Sequence, residues 1–196
     1  LYISGHTKMK VTFKDDKRQG KCLMYYDEPA NTLYEESNYD KGKINGAYTT
    51  YFRNGKQQTT GQYNKDGEKT DVWKEYNSDG ILVTEQTYSS GKENGTSKYY
   101  TNKGKLSEEF VFKNDLLQEY RAYDASGKVI YQNKKEGRKD YDVQLYWANG
   151  NKKREGKVVD GKFEGTWNNY DYNGFKQSEE NFKDGQRHGK FIDYYS

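Results

Sequence analysis

The stretch Gly61-Gln62-Tyr63-Asn64-Lys65-Asp66-Gly67-Glu68-Lys69-Thr70-Asp71-Val72-Trp73-Lys74-Glu75-Tyr76-Asn77-Ser78-Asp79-Gly80 decides the fold. It reads as an aromatic strand, a turn closing on Gly67, a second aromatic strand and a turn closing on Gly80. Val158 to Gly174 repeats the phrase, with Gly161, Gly165, Trp167, Tyr170 and Asn173-Gly174 at matching places. The turn glycines set the beat: Gly42 to Gly55, Gly67 to Gly80, Gly91 to Gly104, Gly137 to Gly150 and Gly161 to Gly174 are each 13 residues apart. The returns Gly80 to Gly91, Gly150 to Gly161 and Gly174 to Gly185 are each 11, so a period of 24 runs along the chain. A fixed period of this size marks a repeat array.

Composition points the same way. Leu, Ile, Val and Phe together number 29 of 196 residues, about 15%, below the roughly 20% usual in folded domains. Disorder goes with high net charge and few aromatics. Here the net charge is +3, aromatics make up 16%, and 21 residues are Tyr. Too little aliphatic material is present to fill a core between two layers. The expectation is an all-β, elongated single-layer antiparallel sheet of about eight β-hairpins, burying rings between neighbouring repeats. With one Pro and no 3.6-residue apolar period, helices are not expected.

Within each period, Asn54-Gly55, Asp79-Gly80, Asn149-Gly150 and Asn173-Gly174 suit tight hairpin turns, where Asn and Gly accept positive φ. The opposite edge is expected to carry a longer loop with two glycines four apart: Gly42/Gly46, Gly91/Gly95, Gly161/Gly165 and Gly185/Gly189. Ring pairs three apart (Tyr48/Tyr51, Trp73/Tyr76, Trp167/Tyr170, Phe191/Tyr194) should put aromatics on both faces. Eight units count off by Tyr25, Tyr51, Tyr76, Tyr99, Tyr123, Tyr146, Tyr170 and Tyr194. The organisation expected is one array over 1–196, with a cap unit at 1–36, irregular middle units at 113–147 and a cap at 180–196.

The middle breaks the rhythm. Asp115 stands for the turn glycine, Glu119 and Asp140 for the second glycine, and Leu116-Leu117 add rare aliphatics. Exposed aromatics that break a repeat make binding anchors, so Leu116, Leu117, Tyr120, Tyr141, Tyr146 and Trp147 are the candidate partner-binding residues. The terminal strand 189–196 is the rival site, through edge-strand addition.

Asp184-Gly185-Gln186-Arg187-His188-Gly189-Lys190-Phe191 and Asp160-Gly161-Lys162-Phe163-Glu164-Gly165-Thr166-Trp167 resemble MORN-type repeats, in the variant class found in many bacterial proteins and labelled as similar to the YwqK-type antitoxin component. The resemblance implies rows of β-hairpins and a protein-interaction or scaffold role. A bacterial, extracytoplasmic address (periplasm or cell surface) is the expectation attached to it and to the start at Leu1, as after removal of a signal peptide; the cytoplasm is the alternative.

No catalytic, metal-binding or cofactor-binding residues are expected. His6 and His188 form no local pair, the lone Cys22 excludes an intramolecular disulfide, and no phosphate loop is present. Glutamate recurs five residues after the tight-turn glycine at Glu85, Glu109, Glu155 and Glu179. Pairing with neighbouring lysines is the reading, since acid–base carboxylates need a cleft. The balance of 33 basic and 30 acidic residues argues against nucleic acid. Lys41, Lys43, Lys65, Lys69, Arg138, Lys139 and Arg187 line one edge, interrupted by Asp40, Asp66, Glu68, Asp71, Asp160 and Asp184. That interleaving reads as a solvated edge rather than a lipid site, so a membrane is reached only through a partner or anchor. The layout also resembles choline- and glucan-binding repeats, but Trp73, Trp147 and Trp167 do not recur in every unit. A non-catalytic protein-interaction module is therefore expected, with a glycan- or lipid-headgroup-binding surface as the alternative.

Overall fold

The computed structural model describes residues 1–134, 140–147 and 149–194. Among them every regular element is a strand, and the chain divides into two compact units, Leu1–Gly104 and Lys105–Ser196. The single array read from the sequence carries no mark of this division.

Unit 1 contains β1 (Met9–Lys14), β2 (Lys17–Tyr25), β3 (Leu33–Asp40), β4 (Lys43–Tyr51), β5 (Gln57–Tyr63), β6 (Lys69–Tyr76), β7 (Leu82–Ser89), β8 (Lys92–Glu93) and β9 (Gly95–Tyr100). They pair antiparallel in sequence order, with β9 beside β7 and the short β8 also on β7. Unit 2 contains β10 (Leu106–Lys113), β11 (Leu116–Tyr123), β12 (Val129–Lys134), β13 (Tyr141–Tyr146), β14 (Lys152–Val159), β15 (Lys162–Tyr170), β16 (Lys176–Lys183) and β17 (Gln186–Asp193). Here β10-β11-β12 form one run, and β13 to β17 form a separate open sheet.

The turns are assigned the other way round from the sequence reading. The two-residue turns lie at Lys41-Gly42, Ser90-Gly91, Asp160-Gly161 and Asp184-Gly185, where both residues have positive φ. That geometry matches the twist of the flanking strands. At Asn54-Gly55 only the glycine is left-handed (φ 78). There the Gly55 amide donates to Phe52 O (2.9 Å), and Phe52 N–H donates to Lys56 O (2.8 Å). This is a three-residue loop, and Gly80, Gly150 and Gly174 repeat its bonds.

The second glycines are not in loops. Gly46, Gly165 and Gly189 sit inside β4, β15 and β17 with φ of 90°, 68° and 81°. At Gly46 the register jumps from Ser37↔Tyr48 to Tyr39↔Ile44. Each such glycine is a bulge, which bends its strand and re-aims the side chains after it.

One face holds the rings. Val11, Cys22, Ser37, Tyr48 and Gly61 are successive cross-strand partners. Trp73 lies over Gly61 so closely that a Cβ there would come 2.3 Å from the indole. The Trp73 indole N–H donates to Gln62 O (3.1 Å), and the ring meets Tyr63 (5.0 Å) and Tyr48 (5.6 Å). Along the middle of the opposite face run Glu36, Thr49, Thr60, Lys74, Glu85 and Lys98, a polar row. Tyr51 and Tyr76 join that face only at its turn end, where they pair with Gln57 and Leu82. Tyr100, not Tyr99, holds the matching place, because Tyr99 pairs with Thr84, the partner of Glu75.

Unit 2 repeats the Gly–Trp stack. A Cβ on Gly156 would meet Trp167 at 2.2 Å, and the indole donates to Lys157 O (3.2 Å). Trp167 also belongs to a buried cluster, with Leu117, Tyr120 and Ala122 of β11, Tyr141 of β13 and Val158 of β14. The cluster draws on both sheets of unit 2. Each ring brings roughly 150–250 Å² of contact, which supplies the burial that scarce aliphatics do not.

Candidate interaction surface

The six candidate anchors separate into core and surface. Tyr120 is only 3% exposed, and Leu117 and Tyr141 are also buried. The Tyr120 hydroxyl donates to Glu108 (3.2 Å) and accepts from the Tyr146 amide (3.2 Å). Burial and the adjacent Glu108 raise its pKa well above the ordinary tyrosine value. Tyr141 is hydrogen-bonded to the backbone of Leu117. These three residues therefore join the sheets of unit 2 and present no surface to a partner. An exposed anchoring role for them does not survive the structure. The sequence showed that they break the repeat; it did not show that the break is internal packing.

Tyr146 is half-buried against Tyr131 (4.8 Å). Leu116 remains exposed, its Cδ2 2.7 Å from where a Gly161 Cβ would stand. Trp147 is half-buried: its indole N–H donates to Tyr170 O (3.1 Å), the Lys153 ammonium lies 5.0 Å from the ring centre and the Tyr172 ring 6.1 Å away. The structure does not bring the six together as one patch. Gly137, Arg138 and Lys139 lie outside the described residues. On the rival strand β17, Phe191 is exposed.

Beside Trp147 runs a groove of about 620 Å³. Leu145 and Trp147 line one part of it, Tyr170 and Gln177 another, and Arg154, Glu180 and Arg187 are also in its lining. Glu180 takes both guanidinium groups, Arg154 at 3.3 Å and Arg187 at 3.0 Å. Arg154 rests on Trp167 (4.7 Å) and Phe163 (5.1 Å). Burial lowers its pKa, with Arg187 adding to the effect and Glu180 opposing it. Burial, with hydrogen bonding to Glu155 adding to it, pushes the Tyr170 hydroxyl up to about 12.

Sequence reasoning missed Arg154 and Glu180 and placed Arg187 on the solvated edge, though a signal for Arg154 existed. Arg154, Thr59, Thr84 and Ser178 each pair with the residue just before the terminal ring of the next strand. Met9, Glu35 and Glu108 hold the same place in other strands, so Arg154 is the one cation there among these pairs, visible once the repeats are aligned by register.

The recurring glutamates each have a cation. Glu85 meets Lys74 (3.6 Å) and Glu109 meets Arg121 across strands. Glu155 meets Lys152 and Glu179 meets Lys176 within one strand, both at 2.7 Å. Hydrogen bonds from Lys152 and Tyr170 lower the pKa of Glu155. On the basic edge, Lys69 covers Trp73 (4.3 Å) and Tyr88 (5.0 Å), and Lys162 approaches Asp184 (3.8 Å). His6 pairs with Asp27 (2.9 Å), and among the described residues no three metal-ligating side chains gather.

No family model matches the chain, and no curated protein matches it significantly.

Proposed function

We propose that this chain is a non-catalytic protein-interaction module built from MORN-like hairpins. The observation that carries the reading is the break at mid-chain. Where the glycine beat fails, β12 and β13 fall into different sheets, and beside the second sheet's first strands opens a groove lined by Leu145 and Trp147. A regular ribbon offers the same surface many times over, so specificity has to come from such an irregularity. Trp147 and the exposed Leu116 are the surviving surface candidates. An extracytoplasmic bacterial address belongs to the same proposal.

The second reading is a surface for cell-envelope glycan or lipid headgroups, favoured by the rings of Trp147 and Tyr170 beside basic side chains. Affinity capture from native membranes and cytosol, with the intact chain as bait, separates the two. One stoichiometric protein partner supports the module; retention on glycan or liposomes with no protein recovered overturns it.

A further inference from the structure

We infer that the groove beside Trp147 is a receptor for a carboxylate carried by an extended, acidic segment of a partner protein. The inference rests on the interaction-module reading and narrows it to one chemistry. Glu180 holds Arg154 and Arg187 together, one carboxylate between two guanidinium groups. Each arginine has five N–H donors. Arg154 Nε is buried without a hydrogen-bond partner among the described residues. Trp167 and Phe163 fix the plane of Arg154, so little side-chain freedom remains to be lost on binding. Lys153 completes the set, with Glu108 at 3.5 Å as its paired carboxylate.

Three cations thus face two carboxylates, which leaves a surplus of one positive charge in a partly buried trough. A single further carboxylate balances it, and planar guanidinium forks match paired oxygens. A phosphate, at about −1.5 to −2, exceeds that surplus, whereas a sulfate monoester carries one charge and is the competing occupant that the test includes. Leu145 and Trp147 supply an apolar wall for the residue beside the acidic one.

The test uses the full chain with two capped, fluorescein-labelled hexapeptides, one alternating leucine and aspartate, the other leucine and asparagine. The aspartate peptide should bind, and the asparagine peptide should bind at least about tenfold more weakly. Arg187→Gln and Lys153→Gln should each weaken the aspartate peptide at least about fivefold. Lys41→Gln, the same charge loss in the other unit, should change it less than about twofold. Arg187 is 75% exposed in its side chain, so its removal leaves the fold standing. No binding of the aspartate peptide, equal binding of both peptides, or equal effects of Arg187→Gln and Lys41→Gln would overturn the proposal. So would binding of a sulfated oligosaccharide in its place. If a captured native protein partner still binds the Arg187→Gln and Lys153→Gln variants, the groove assignment fails while the module reading stands.

Discussion

Two glycines have lost their side chains to a neighbour rather than to a turn. Gly61 and Gly156 lack positive φ, and each lies under an indole from the next strand, Trp73 and Trp167. Both indoles then donate to the carbonyl one residue past the glycine. The cost of a side chain here is steric, not conformational. Gly61→Ala should lower stability by about 1–3 kcal/mol, as overpacking does, and should shift Trp73 fluorescence. Chemical denaturation of the variant checks it; an unchanged midpoint would mean that Trp73 does not rest on Gly61. Gly55 is the contrast, since its φ of 78 costs any other residue strain although nothing stands within 4 Å of its Cβ position. At this scale the sequence was half legible. Positive φ at Gly80 and Gly174 follows from the Asx-Gly pattern, and φ is 81° and 92° there. The stacking role of Gly61 was hidden, because a glycine shows what it lacks and not what fills the space. Tyr120 was misread for the opposite reason: an aromatic that breaks a repeat looks the same in sequence whether it is exposed or buried.

At the scale of the hairpin, two kinds of turn alternate. Two-residue turns need positive φ twice, and the residue before the glycine supplies one of them: Lys41, Ser90, Asp160 and Asp184 all lie near 50°. Asn114-Asp115 meets the demand with no glycine, at φ of 52° and 67°. Asp115→Gly should therefore stabilise the protein by about 1 kcal/mol by removing left-handed strain. A rise in the urea midpoint with an unchanged slope supports this; a fall would show that the Asp115 side chain stabilises the turn by more than the strain costs. The 24-residue period gave strand number and order well, because strands and turns alternate locally. It did not separate turn types, since Asn-Gly serves both a two-residue turn and a three-residue loop with a bulge. Nor were the bulges at Gly46, Gly165 and Gly189 read from it, although each adds two residues to its strand, the difference between the steps of 13 and 11.

At the scale of the whole chain, what was legible is what depends on nearest neighbours. Pairing in sequence order follows from short connections. The division into two units and the separate sheets of β10–β12 and β13–β17 depend on contacts distant in sequence, such as Tyr120 with Tyr146 and Lys153 with Glu108. No periodicity encodes those. The groove inherits that difficulty, because Arg154, Glu180 and Arg187 come from three strands. The central claim is that each beat of the sequence is one hairpin, paired only with its neighbours in a fixed register. Cross-strand nuclear Overhauser contacts measure it directly. They should join Ser37 to Tyr48, Tyr48 to Gly61, Trp73 to Gln86 and Asn169 to Ser178. Backbone contacts shifted by one residue, or joining non-adjacent strands within one sheet, would contradict the account; side-chain contacts between the two sheets of unit 2, such as Tyr120 with Tyr146, belong to it.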